Sequence, residues 1–107
     1  IKGGMRLALP PGQPKPYHPG DRGANVDFAR AMLNIVQKYR RGRAIKMTGP
    51  VDAEFIAAVK EFQEFCEGFI RYTSKGKKHF GNGPPCNGIM GTLTQGALAN
   101  WVKEALK

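Results

Sequence analysis

The sequence has few of the residues that usually carry enzymatic chemistry. Its only serine is Ser74, in a lysine-rich stretch, and neither of its two histidines lies beside a candidate nucleophile. The metalloprotease motif H-E-x-x-H does not occur. Glu61 and Glu64 form the nearest thing to a carboxylate pair, but they lie on the polar side of a helical pattern, where charged residues are expected anyway. We therefore predict that the chain is not an enzyme and has no catalytic residues and no cofactor.

Cysteine is also scarce, with only Cys66 and Cys86. A disulfide between them would close a loop of about twenty residues and restrain the unfolded chain, which is worth ~3 kcal/mol on the chain-entropy model. The alternative is two reduced cysteines. We favour the disulfide, which fits an extracytoplasmic protein. No C-x-x-C or H-x-x-x-H spacing accompanies the cysteines, so no metal site is predicted.

Two further shortages concern apolar runs and acidic residues. No run approaches the ~20 apolar residues of a membrane-spanning helix, so no transmembrane segment is predicted. Eight Asp and Glu stand against seventeen Lys and Arg, which gives a formal charge of +9. Such a charge favours anionic partners generally, among them nucleic acid, acidic lipid, teichoic acid and the carboxylates of wall peptides. Part of it lies in one acid-free block, which contains Lys38, Arg40, Arg41, Arg43 and Lys46.

What the sequence does contain is a repeated turn-helix pattern. Residues 87–101 read Asn-Gly-Ile-Met-Gly-Thr-Leu-Thr-Gln-Gly-Ala-Leu-Ala-Asn-Trp, a tight turn and a second glycine followed by an amphipathic helix. An earlier copy places Gly49 over Gly88 and Phe62 over Trp101. The repeat predicts a small all-α domain of three helices, with a duplicated turn-helix element and with Trp101 in the core.

Start and stop signals place the three helices at about 24–40, 52–68 and 92–106. Asp52 is the predicted N-cap of the second helix, and Gly68 its predicted end. Thr92 or Thr94 is expected to cap the third helix, after Gly91, where a positive φ costs little.

The remaining segments are rich in glycine and proline. Residues 1–16 are predicted to form a flexible arm, which leaves 17–107 as the single domain. Residues 68–86 are expected to form a long loop between the second and third helices. Within it, Phe69 to Tyr72 alternate enough to suggest a short strand, paired near His79 and Phe80. The rings expected to be exposed are Tyr39, Tyr72 and Phe80.

These motifs resemble the peptidoglycan-binding-like domain, a module found in cell-wall hydrolases, spore-cortex enzymes and bacteriophage lysis or tail proteins. The family motif D-G-x-V-G-x-x-T-x-x-A-L is matched here by Asn87-Gly88-x-Met90-Gly91-x-x-Thr94-x-x-Ala97-Leu98. The preceding motif is matched in part by Thr48-Gly49-x-Val51-Asp52-x-x-Phe55-x-x-Ala58-Val59-x-x-Phe62-Gln63, and the first by Tyr17-x-x-Gly20-x-x-Gly23-x-x-Val26-x-x-Ala29-Arg30-x-x-Leu33. The chain departs from the family where Ala29-Arg30 replaces Leu-Gln, and where Asp52 and Phe55 replace Gly and Thr.

The resemblance implies a non-catalytic module that anchors a larger protein or assembly to peptidoglycan, in the periplasm, the cell wall or a phage particle. Its partners would be peptidoglycan or its stem peptides, together with a catalytic domain or a partner protein. Charge and expected exposure then suggest the ligand-binding residues. Carboxylates of the stem peptides would be met by Arg40, Arg43, Lys75 and Lys78. Sugar or peptide amide groups would be met by Tyr72 and Asn82.

Two other functions stay open from the sequence. A basic nucleic-acid-binding module fits the charge, but the third helix offers only Gln95, Asn100 and Lys103 toward base edges, which disfavours nucleic acid as a partner. A structural piece of a phage tail or secretion apparatus could use the same fold without binding the wall.

Overall fold

A computed structural model describes residues 16–72 and 85–107 of the chain. Within these ranges it has three α-helices and no strand: α1 at Ala24–Tyr39, α2 at Ala53–Tyr72 and α3 at Thr92–Ala105. The predicted all-α class is therefore confirmed. No helix in this part of the chain is long and apolar enough to cross a membrane. The predicted arm lies outside the described residues except for Pro16.

The second helix is longer than the sequence suggested. It continues through Gly68 to Tyr72, so both the predicted helix end at Gly68 and the predicted strand from Phe69 to Tyr72 are wrong. One glycine inside a helix costs only about 1 kcal/mol relative to alanine, and no proline follows closely enough to stop the helix. Residues 73–84 of the predicted loop, including His79 and Phe80, lie outside the described residues.

One apolar stripe from each helix meets the others in a single core. Trp101 is 1% exposed, which confirms its predicted place, and its ring lies 5.0 Å from that of Phe65 and 5.9 Å from that of Tyr39, between centroids. The buried helical residues that make the core are Val26, Ala29, Leu33 and Val36 from α1, Phe55, Ala58, Val59, Phe62 and Cys66 from α2, and Ala97, Leu98, Trp101 and Val102 from α3.

A buried glutamine fixes the turn before α3. Gln63 is fully buried, and its Nε2 donates to the Ile89 carbonyl at 3.0 Å and to Thr94 Oγ1 at 2.9 Å, while its Oε1 accepts from the Gly88 N–H at 2.8 Å. Gly88 has φ 74° in this turn, which glycine adopts without strain. A side chain of α2 therefore satisfies the backbone of a turn that has no secondary structure of its own.

The Thr94 hydroxyl accepts a hydrogen bond from Gln63 and does not cap α3. The N-cap is Gly91, which makes no side-chain cap, and its φ of −86° is not left-handed. The predicted threonine cap is therefore wrong, and Gly91 does not adopt the positive φ that glycine allows.

Arg30 occupies the matching position for the turn before α2. It is fully buried, and its Nη1 donates to the Lys46 carbonyl and to Glu54 Oε1, each at 3.1 Å. Its Nη2 donates to the Pro50 carbonyl at 2.7 Å and to Asp52 Oδ1 at 2.9 Å. The guanidinium thus does for the first turn what the Gln63 amide does for the second.

Asp52 also caps α2, as predicted, because its Oδ1 accepts the Phe55 N–H at 3.0 Å. This hydrogen bond, followed by the charge of Arg30, lowers the pKa of the Asp52 carboxyl below its ordinary value.

The segment before α1 ties the two turns together. The Tyr17 N–H donates to the Met90 carbonyl at 3.2 Å, and Val51 exchanges hydrogen bonds with Gly20 and Asp21, both at 2.8 Å. The buried Tyr17 ring packs edge-on against Phe55, with centroids 6.2 Å apart. One strap therefore contacts both copies of the turn.

Candidate functional site

Only part of the predicted ligand-binding set falls where the structure describes side chains. Arg40 and Arg43 follow α1 directly. Tyr72 is the last residue of α2, and its side chain lies outside the described part. Lys75, Lys78 and Asn82 lie outside the described residues altogether. The candidate site can therefore be built only around the end of α1.

Helix α1 ends in a Schellman motif that carries an arginine where glycine is usual. The Gly42 N–H donates to the Gln37 carbonyl at 2.6 Å, and the Arg41 N–H to the Lys38 carbonyl at 3.2 Å, the two hydrogen bonds that define this motif. Arg41 has φ 60°, and no other non-glycine residue in the described ranges has a positive φ. A left-handed conformation costs an ordinary residue roughly 1–2 kcal/mol, so the chain keeps a cation here against its local preference.

The residues around this motif form a cationic segment, which we define as residues 38–46. Lys38, Arg41, Arg43 and Lys46 are exposed, and no carboxylate among the described residues pairs with any of them. Their position at the C-terminal end of α1 is electrostatically favourable, since the helix dipole places partial negative charge there. Exposed, unpaired cations are available to an anionic ligand.

Arg40 is more structural than the sequence suggested. Its side chain is half-buried, its Nη1 donates to Gln37 Oε1 at 2.6 Å, and its Cζ lies 5.1 Å from the centroid of the Phe65 ring. An arginine over an aromatic face is stabilised by a cation–π interaction. Much of the Arg40 side chain is therefore packed against the protein, whereas the Arg43 side chain is exposed.

Tyr39 presents an aromatic ring beside the cations. It is 48% exposed, as predicted, and its ring is tilted by 44° against the buried ring of Trp101. Support from a core tryptophan reduces the freedom of the Tyr39 ring without burying it. A partly exposed, supported ring can stack on a sugar face or a nucleobase.

A polar stripe on α1 holds the backbone of the segment that follows. Asn34 exchanges two hydrogen bonds with Ile45, from its Nδ2 to the Ile45 carbonyl at 2.9 Å and from the Ile45 N–H to its Oδ1 at 2.8 Å. Gln37 Nε2 donates to the Arg43 carbonyl at 2.8 Å. Together with Arg30, these side chains fix residues 43–50 against α1 although that stretch has no helix or strand.

Between this stretch and α2 lies a concavity of about 220 Å³, which we call the mixed-charge groove. Its lining residues are Gln37, Arg43, Ile45, Glu54, Ala57, Ala58 and Glu61. Glu54 and Glu61 are two helical turns apart, or roughly 10 Å along α2. Glu61 is exposed, as predicted, but it also lines a concave surface that the sequence analysis did not identify. The spacing of seven residues places Glu54 and Glu61 on one face of the helix, but it does not indicate a concave surface.

A second concavity, of about 190 Å³, lies between the two turns. It is lined mainly by apolar residues from the strap and both turns, namely Tyr17, Pro19, Val51, Phe55, Ile56, Asn87, Gly88, Ile89 and Met90. It contains no charged side chain, so it offers little to an ionic ligand.

The two cysteines are not bonded to each other in the structure. Cys66 is buried, and burial strongly raises the pKa of its thiol. The Cys86 thiol donates to Glu67 Oε2 at 3.2 Å, and its pKa is raised by burial and then by this carboxylate. Both thiols are therefore held in the protonated form at neutral pH, in which they react slowly. The disulfide stays a prediction, for which thiol titration of the native protein is the direct measurement.

Among the residues that the structure describes, no group of three or more His, Cys, Asp or Glu side chains is placed to hold a metal ion. In comparisons with known proteins, no family model matches this chain, and neither does any curated protein or any solved structure.

Proposed function

We propose that this chain is a non-catalytic module that binds the peptidoglycan of the cell wall and anchors a larger protein or assembly to it. The observation that carries the proposal is the cationic segment, in which Arg41 holds a charge at a left-handed position and Arg43 lies unpaired at the edge of a groove. Wall stem peptides would supply the carboxylates, and Tyr39 would meet a sugar ring. Such a role places the module outside the cytoplasm.

The surroundings of the cationic segment favour the wall over nucleic acid. Glu54 and Glu61 line the groove together with Arg43, so a ligand in the groove meets charges of both signs. A polyphosphate backbone along this surface would be repelled by both carboxylates, whereas a peptide carries groups of both signs. The arginines also follow a helix end instead of lining one helix face, as a major-groove reader requires.

Co-sedimentation of the full chain with purified sacculi, with and without duplex DNA as competitor, tests the proposal. We expect the protein to sediment with sacculi, to stay bound in the presence of DNA, and to be released as salt is raised, since exposed charges are screened. A protein that stays in solution, or one that DNA displaces fully, would contradict the proposal.

A pair of charge-matched variants separates the site from net charge. Arg41→Gly with Arg43→Gln removes two cations from the cationic segment, and the glycine suits the left-handed position, so the fold should be kept. Lys60→Gln with Lys103→Gln removes two exposed cations elsewhere. We expect the first pair to weaken binding by about tenfold or more, the equivalent of ~1.4 kcal/mol, and the second to change it little. Equal effects would show attraction by net charge alone.

A further inference from the structure

The mixed-charge groove has opposite charges on its two walls that do not neutralise each other. Arg43 stands on one wall and Glu61 on the other, and neither forms an ion pair with any side chain in the described ranges. Glu54 is already engaged, because its Oε1 accepts from Arg30 and from the Lys46 N–H. The charged groups of the groove that have no ion pair in the described part of the chain are therefore one guanidinium and one carboxylate.

The side-chain amide of Gln37 contacts both walls of the groove. Gln37 Nε2 donates to the Arg43 carbonyl at 2.8 Å and contacts Glu61 Oε1 at 3.4 Å, so the backbone that carries the guanidinium is fixed relative to the carboxylate. Gln37 is itself buried, at 4% exposure, which restricts its own movement. The position of the Arg43 backbone relative to the Glu61 carboxylate is thus set by the fold.

The floor and the size of the groove limit what can fill it. Ala57, Ala58 and Ile45 provide an apolar floor, and the two small side chains give it depth. Its volume of about 220 Å³ is below the ~300–1,000 Å³ typical of drug-sized ligands. At ~30 Å³ per water-sized group it admits roughly seven non-hydrogen atoms, about the size of a small amino acid, so part of a longer side chain would extend out of the groove.

We propose that the mixed-charge groove binds a zwitterionic, amino-acid-like group, with its ammonium on Glu61, its carboxylate on Arg43 and its aliphatic part over Ala57. A simple anion would face Glu54 and Glu61, and a simple cation would face Arg43, so the arrangement selects for a ligand that carries both charges. The inference rests on the proposed function for the source of that group, the peptides of the wall.

Soluble probes test the groove without using the wall. The ¹H–¹⁵N spectrum of the full chain would be followed during titration with L-lysine, with lysinamide, which lacks the carboxylate, and with Nα,Nε-diacetyl-lysine, which lacks the ammonium groups. We expect lysine to shift the amides of Gln37, Arg43, Ala57 and Glu61. Each derivative should bind about tenfold more weakly or worse, because it loses a charge-assisted contact. Equal binding of all three probes, or shifts that map elsewhere, would overturn the proposal.

Variants test whether Glu61 and Arg43 each contribute to the binding of lysine. Glu61→Gln and Arg43→Gln should each weaken lysine binding by about tenfold, and Glu64→Gln, an exposed carboxylate of α2 outside the groove, should leave it unchanged. Ala57→Leu keeps a good helix former and fills the floor, so it should abolish binding while the spectrum stays dispersed. If Ala57→Leu binds lysine as the native chain does, the groove is not the site.

The same variants distinguish this inference from the proposed function. Binding to sacculi without any lysine-induced shift in the groove would keep the wall-binding module and refute the groove. Lysine binding in the groove by a chain that does not sediment with sacculi would support the groove and refute the wall as its target.

Discussion

Replacing Arg30 by alanine tests whether a buried guanidinium holds the turn before α2. The substitution removes four hydrogen bonds, to the carbonyls of Lys46 and Pro50 and to the carboxylates of Asp52 and Glu54. It also removes the stem of a fully buried side chain and a guanidinium that lies 5.6 Å from the centroid of the Phe55 ring.

The solvent exposure of each partner of Arg30 determines how much unfolding free energy the substitution removes. The side chains of Asp52 and Glu54 are 40% and 39% exposed, so water can solvate them once Arg30 is gone, and their ion pairs are worth far less than fully buried ones. The two carbonyls are backbone acceptors, each worth about 1 kcal/mol when paired. With the cavity left by the side chain, the expected loss is roughly 3–4 kcal/mol. That is a large fraction of the ~5–15 kcal/mol that stabilises a typical domain.

Arg30→Gln is the informative comparison, because Gln63 performs the corresponding task in the second half of the chain. A glutamine amide can donate to both carbonyls but leaves the two carboxylates without their cation, so we expect it to cost about half as much as Arg30→Ala. Urea unfolding followed by circular dichroism at 222 nm and by the fluorescence of the single tryptophan gives both free energies. A loss below about 1 kcal/mol for Arg30→Ala, or a greater loss for Arg30→Gln, would refute this account of the turn.

Three further predictions concern the core, the second turn and acid stability. Trp101→Ala should cost roughly 3–5 kcal/mol, and the native indole should emit as a buried one; a water-like emission maximum would contradict this. Gly88→Ala should destabilise by about 1–3 kcal/mol in urea, since its Cβ would sit 3.0 Å from Ile56 Cγ2 at φ 74°, whereas Gly96→Ala, exposed on α3 with nothing near its Cβ, should stabilise slightly. Because the pKa of Asp52 in the folded state lies below its ordinary value of 3.8, its stabilising effect is complete at neutral pH and is lost as the pH falls below 3.8 through the folded value. Asp52→Asn should therefore flatten the acid limb of a stability–pH profile, and an unchanged limb would be evidence against the pairing.

The helices were predictable because their apolar residues recur with helical period. That periodicity put Trp101 in the core, and the N-cap preference of aspartate put Asp52 at the start of α2; both placements are confirmed. The prediction failed at Gly68, because one glycine is only a weak helix breaker and no proline follows closely enough to end the helix.

The burial of Arg30 was not predicted, although the repeat contained the clue. Arginine is rarely buried without partners, so the exchange of Gln for Arg in the first motif looked like a simple departure from the family pattern. In the register of the repeat, Asp52 aligns with Gly91 and Phe55 with Thr94. The Arg30–Asp52 pair therefore takes the place of the Gln63–Thr94 pair, and three apparent departures form one compensated change.

The groove was beyond sequence reasoning for a different reason. Its two walls are joined by contacts such as that between Gln37 and the Arg43 carbonyl, in which a side chain recognises backbone. Nearly every residue type has the same backbone groups, so a hydrogen bond to a carbonyl leaves no pattern in the sequence. The sequence therefore does not indicate that Arg43 and Glu61 face one concavity. Charge and exposure alone identified Arg43 as a candidate, and only the fold supplies its partner across the groove.

The polar stripe on α1 links the stability of the fold to the geometry of the candidate site. Arg30, Asn34 and Gln37 lie on one face of the helix and hold successive points of residues 43–50, through Lys46 and Pro50, through Ile45 and through Arg43. The stretch has no helix or strand of its own, so the position of Arg43 depends on side chains that touch no ligand. Replacing Asn34 by alanine would remove its two hydrogen bonds to Ile45 and release the middle of this stretch. The distance between Arg43 and Glu61 would then vary over a wider range. The affinity of the groove for lysine should therefore decrease when residues 43–50 become less ordered, even in a variant whose three helices stay folded.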